Sequence, residues 1–202
     1  MKKIYRNRKT GFTLIEVMLA IAIMLLVSGL FVSLIIATHE SYYTTYNYND
    51  STDYCQMYGK IIQDQILADR QDSSFASGAT HTYYMDPTQC QFMYGTTPVV
   101  ELPRVTNRDG SLKWIFAVSD VTFDSDTNMC NIEITVIDNY HNPGVVLYEY
   151  NFGFWVPNYE MTKPDGTVVG ETITVARGTN HPIGTPGSGV VIDNYEIEVT
   201  KN

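Results

Sequence analysis

Basic residues are scarce in this chain: 13 Lys and Arg stand against 22 Asp and Glu in 202 residues, for a net charge of −9. Five of the 13, Lys2, Lys3, Arg6, Arg8 and Lys9, fall within residues 1–11, which hold no acid, so the rest of the chain sets eight bases against 22 acids, or −14. A body that acidic repels phosphate backbones, which makes nucleic acid a poor partner. Cysteine is scarcer still. Cys55, Cys90 and Cys130 form no Cys-x-x-Cys and are odd in number, which argues against both a disulfide framework and a zinc site. An oxidising exterior leaves room for one bridge, Cys90 with Cys130; the alternative is buried thiols that pack as small apolar residues.

Catalytic patterns are missing as well. His39, His81, His141 and His181 stand isolated in the sequence, with no His-Glu-x-x-His and no nucleophile elbow. The Gly- and Pro-rich stretch from Arg177 to Gly189 is followed by no Gly-Lys-Ser/Thr and reads as a surface loop. Asp124-Ser125-Asp126-Thr127-Asn128 begins like a calcium loop, but Met129 and Thr135 occupy the positions where such a loop needs glycine and glutamate. It reads as a hairpin turn. Paired carboxylates such as Glu196 and Glu198 alternate along a strand and need no catalytic explanation. The pattern points to no enzyme, no cofactor and no metal.

What the chain has is one long apolar run. From Val17 to Ala37 only Ser28, Gly29 and Ser33 interrupt the apolar residues, with no charge and no proline. About 20 helical residues at 1.5 Å each match a hydrocarbon core of about 30 Å. The basic residues all precede the run, so the positive-inside rule expects the leader in the cytoplasm and the body outside, with Tyr42, Tyr43, Tyr46 and Tyr48 at the membrane exit. A secretory signal would place a small-residue cleavage site after the run, and Thr38-His39-Glu40-Ser41-Tyr42 offers no clear one. Glu16 lies one turn into the apolar helix, where a carboxylate costs up to about 3 kcal/mol and is functional by default.

The basic leader ending in Gly11, then Phe12, then Glu16 at the fifth position after the glycine, then a membrane helix, resembles the prepilin signal of type IV pilins and type II secretion pseudopilins. The resemblance covers residues 1–37. It implies cleavage between Gly11 and Phe12 by a prepilin peptidase on the cytoplasmic side, N-methylation of Phe12, and retention of the helix. It also implies assembly with other pilin or pseudopilin subunits through an inner-membrane platform, with membrane lipid around the helix beforehand. Glu16 is then the assembly residue, its carboxylate matched to the Phe12 ammonium of the same or a neighbouring chain. Many major pilins carry a helix-breaking proline about twenty residues after the cut; here Ser33 takes that place, with Gly29 just before it. Size and late strands favour a minor pilin or minor pseudopilin. The alternatives are a DNA- or surface-binding tip or competence pilin and a signal-anchored extracellular domain that does not assemble.

Beyond the membrane, Tyr54, Tyr58, Ile61, Ile62 and Ile66 share one helical face. Period-two alternation then takes over, near 82–86, 90–94 and 97–105. It strengthens at Leu112, Trp114, Phe116 and Val118 after an Asp109-Gly110 turn, then at Ile132, Ile134 and Val136, which read as a half-buried strand. The longest run spans Val146 to Val156, and the last holds Tyr195, Ile197 and Val199. No second long helix separates these strands, so hairpins are expected. The expected fold is α+β and pilin-like: leader 1–11, membrane or filament-core helix 12–37, extracellular helix 38–70, and an antiparallel β domain 71–202 whose apolar face rests on the helix.

Overall fold

The computed structural model describes residues 12–99, 106–107, 109–140, 142–166, 168–184 and 189–202. Gly11 and the leader, residues 100–105 of the expected third strand, and His141 lie outside them. One helix, α1, runs from Leu14 to Gln71 and is followed by strands alone. The chain divides into two compact units, with the boundary between Tyr46 and Asn47, so α1 contributes to both.

The first unit holds the apolar half of α1. Every residue from Phe12 to Tyr42 is exposed. The helix passes through Gly29 and Ser33 without interruption, and the Ser33 hydroxyl donates to the Gly29 carbonyl at 3.0 Å, as Ser28 does to Met24 at 2.7 Å. Such back-bonding satisfies a hydroxyl that has nothing else to meet in an apolar run.

In the second unit the helix is amphipathic. Ser51, Cys55, Tyr58, Gly59, Ile62 and Ile66 are buried at spacings of three, four and one. Tyr54 and Ile61, expected on the core face, are only partly buried at its margin, and Cys55 and Gly59 take the centre. The helix ends where Asp72 and Ser74 form a side-chain-capped turn, the Asp72 carboxylate accepting from Ser74 N at 2.7 Å.

Twelve strands follow among the described residues: β1 (Thr80–Asp86), β2 (Gln91–Tyr94), β3 (Thr97–Pro98), β4 (Trp114–Asp124), β5 (Met129–Asp138), β6 (Val146–Trp155), β7 (Tyr159–Thr162), β8 (Val168–Glu171), β9 (Ile173–Asn180), β10 (Ile183–Gly184), β11 (Val191–Ile192) and β12 (Tyr195–Lys201). All their pairings are antiparallel. They make a five-stranded sheet in the order β3-β2-β1-β12-β9, a three-stranded sheet β4-β5-β6, and two separate pairs, β7-β8 and β10-β11. The single sheet expected from sequence is therefore divided. The Arg177–Gly189 stretch is also corrected: Arg177 to Asn180 extend β9 along β12, and Ile183 and Gly184 form β10.

Both larger sheets share one core with the helix, in which Ile62, Ile66, Tyr83, Trp114, Ile134 and Ile197 are almost fully buried. Aromatic edges lock the helix to β4: Tyr58 lies 4.8 Å from Phe116 and Tyr54 5.8 Å from Trp114 between ring centroids. Gly59 lets β6 come close, because a Cβ there would sit 2.9 Å from the Tyr150 ring and 3.2 Å from Phe152. A second small cluster of Ile115, Ala117, Ile137 and Ile183 buries the other face of β4 and β5. Thr135 is 4% exposed as a result, and the end of β5 is buried on both faces instead of one.

Candidate functional site

The first turn of α1 is built by two side chains. Thr13 stands just before the helix, and its carbonyl accepts from Glu16 N at 3.1 Å and Val17 N at 3.2 Å. Glu16 reaches back: its Oε2 accepts from Thr13 N at 2.8 Å and from the Thr13 hydroxyl at 2.9 Å, and Thr13 Oγ1 lies 3.4 Å from Glu16 N. This is a capping box, in which the N-cap hydroxyl and the carboxylate three residues later satisfy otherwise orphaned donors. Thr13 was not among the residues singled out from the sequence, although Thr-x-x-Glu before an apolar run is the signature that finds it. Both bonds to Glu16 use the same oxygen.

Phe12 precedes the cap and is 87% exposed. Phe12, Glu16, Val17, Ala20, Ile21 and Met24 border an open hollow of about 280 Å³ along one side of the helix. The carboxylate is therefore set on an apolar surface that water does not favour, beside the residue expected to become a new N-terminus. Residues 6–32 match the prokaryotic N-terminal methylation motif. That motif marks structural subunits, and it supports a type IV pilin-like precursor with a single apolar, membrane-competent helix at its start. It covers none of the β body. Neither the curated proteins nor the solved structures give a significant match to the chain.

The other residues considered from sequence fall into local structural roles. Asp124 turns its carboxylate on its own loop, accepting from Asp126 N at 2.9 Å and the Thr127 hydroxyl at 2.7 Å, so the segment is the β4–β5 hairpin turn. Those bonds hold its carboxyl below the usual range. Cys55, Cys90 and Cys130 are buried, and no disulfide joins Cys90 to Cys130. The Cys90 thiol donates to the Trp114 carbonyl at 3.0 Å, and burial pushes the Cys55 and Cys130 thiols up to about 12.

Two histidines are not isolated in space. His81 Nδ1 lies 3.1 Å from Asp69 and its ring stacks on Phe75 at 3.7 Å. Tyr83 donates to the other Asp69 oxygen at 2.6 Å, and burial with that carboxylate raises the phenol above its ordinary range. His181 meets Glu196 at 2.9 Å, so Glu196, read as one of two carboxylates alternating along a strand, is a partly buried partner. Nothing in the sequence spacing, 12 and 15 residues, announces either pair. Among the described residues no group of three or more His, Cys, Asp or Glu could hold a metal ion.

Proposed function

We propose that the chain is a structural subunit of a type IV pilus or a type II secretion-like pseudopilus, and a minor one. It is cut between Gly11 and Phe12 by a prepilin peptidase and methylated on the Phe12 amine. It then assembles with other pilin or pseudopilin subunits through the helix that begins at Leu14. The observation that carries this reading is the pairing of the methylation motif with a stretch, helical from Leu14, whose residues 12–42 are all exposed in the single chain. An apolar surface of that length demands lipid or sister helices. In the bilayer it meets acyl chains; in a filament the same surface is reburied against neighbours, so little hydrophobic free energy separates the two states. Extraction by an assembly platform can then proceed without a large thermodynamic barrier.

Glu16 supplies the register. In an apolar surrounding, a carboxylate favours the neighbour position that offers a cation, here the Phe12 ammonium released by cleavage. The leader is cytoplasmic and the β body extracytoplasmic in this scheme, as the Lys and Arg bias of residues 1–11 requires.

Two variants test it in a host that assembles the filament. Gly11→Trp should leave the protein at precursor mass, and normal processing would overturn the prepilin reading. Glu16→Ala should be processed yet fail to enter filaments; incorporation at the wild-type level would remove Glu16 from assembly while leaving processing intact.

A further inference from the structure

Arg70 stands in the last turn of α1 and is 7% exposed, yet its Nε and Nη2 are buried without a hydrogen-bond partner. Arginine keeps its charge when buried, so an unmatched guanidinium inside a folded body is costly. The aspartates beside it in sequence are committed elsewhere. Asp69 accepts from Tyr83 and lies against His81, and Asp72 accepts from the backbone N–H and hydroxyl of Ser74. Two weaker contributions favour the cation where it sits: the carbonyl end of the helix, and the Tyr159 ring, whose centroid lies 4.8 Å from the guanidinium carbon. Neither gives Nε or Nη2 an acceptor.

Tyr159 opens β7, and among the described residues β7 pairs with β8 alone. The hairpin is pinned at its base by Asn158, whose side chain donates to the Ile173 carbonyl at 2.8 Å and accepts from Ile173 N at 3.1 Å. Beyond that clasp no ladder among the described residues joins it to either larger sheet, so it can swing about residues 158 and 173 while both sheets stay paired. Tyr159 is half exposed and lies over a buried cation, which is the position of a lid.

We propose that Arg70 is the floor of a carboxylate-binding site and that the β7–β8 hairpin is its lid, lifting to admit the ligand and closing over the pair. Nε and Nη2 form one edge of the guanidinium, and that edge presents two parallel N–H groups to both oxygens of a carboxylate. Residues 12–202 set eight bases against 22 acids, so a single cation here balances a monoanion and not a doubly charged phosphate. The carboxylate can belong to a small molecule or to an acidic side chain of a second copy, since both offer the same two oxygens. Arg70 and Tyr159 both lie in the second unit, so the site stands or falls independently of cleavage at Gly11 and of Glu16.

Thermal unfolding of the full chain in detergent tests this, with sodium formate as the probe and sodium chloride at equal ionic strength as the reference. The wild-type midpoint should rise by about 3 °C or more as formate saturates, because the ligand binds the folded state alone. Amide exchange across the β7–β8 hairpin should slow at the same time. Arg70→Met removes the charge and keeps the side-chain length; it should unfold no earlier than wild type without formate, and should lose both responses. Arg70→Lys keeps the charge without the fork and should bind formate about tenfold more weakly or worse. Alongside the formate response, a wild-type midpoint that rises with protein concentration, and does not in Arg70→Met, assigns the carboxylate to a second copy; a midpoint independent of concentration assigns it to a small molecule. No rise with formate, a rise shared by Arg70→Met, an equal rise with inorganic phosphate, or an Arg70→Met chain that unfolds earlier than wild type would overturn the proposal.

Discussion

Single carboxylates carry much of the local order in this chain, and each is held by different means. Glu16 closes its own helix through Thr13. Asp69 is 4% exposed and is held by the Tyr83 hydroxyl on one oxygen and His81 on the other. Removing the tyrosine hydroxyl leaves a buried carboxylate with an unmatched lone pair, which costs about 1.5–3 kcal/mol for a bond to a charged acceptor. Tyr83→Phe should therefore lower the denaturant midpoint of the full chain with an unchanged slope, as read by tyrosine and tryptophan fluorescence in detergent. A midpoint equal to wild type would show that the Asp69 network contributes nothing to folding.

At the scale of the element, α1 does two jobs with one continuous backbone. Its second half succeeds because Gly59 admits Tyr150 and Phe152 at a distance that no larger residue allows. Gly59→Val should cost about 1–3 kcal/mol through overpacking, despite the gain in helix propensity over glycine, and should lower the melting temperature followed by circular dichroism. The helix itself was legible: an apolar run of membrane length and a tyrosine-isoleucine face announce both halves. The alternating strands at Trp114, Ile132, Val146 and Tyr195 were legible for the same reason, since each presents a period of two. The division into separate sheets was not, because pairing of β12 with both β1 and β9 joins residues more than a hundred positions apart in one case and about twenty in the other. Nor was β9, where Ile173 and Val175 give only two apolar beats before Arg177 and Gly178 end the pattern. The two-sided burial of β4 was present in Trp114-Ile115-Phe116-Ala117-Val118, a run apolar at every position, as strands covered on both faces are. At the site, Glu16 stood out as a charge in an apolar helix, while Thr13 looked like an ordinary polar residue until the helix start fixed its partner.

The whole molecule is acidic, and part of its stability is tied to exposed aspartates that close turns. Ser74 holds Asp72, Ser111 holds Asp109, and Thr127 with Asp126 holds Asp124, and these bonds lower all three carboxyls. A folded-state value below the unfolded one means that the unfolded chain binds more protons, so the contribution is complete above about pH 4 and is lost as pH falls through the folded values. The thermal midpoint should drop as pH is lowered below about 4, and Asp72→Asn should make that drop shallower. A midpoint independent of pH across this acid range would show that these turns do not couple to global unfolding.

The Thr13–Glu16 cap matters most for what maturation does to the chain. All of its atoms lie on the far side of the proposed cut from the leader, so removing residues 1–11 breaks none of the bonds between Thr13 and Glu16. Since Thr13 binds only Oε2, an arriving ammonium can take Oε1 without evicting the cap. Under the proposed assembly, processing changes the charge beside this turn and leaves the Thr13–Glu16 bonds in place.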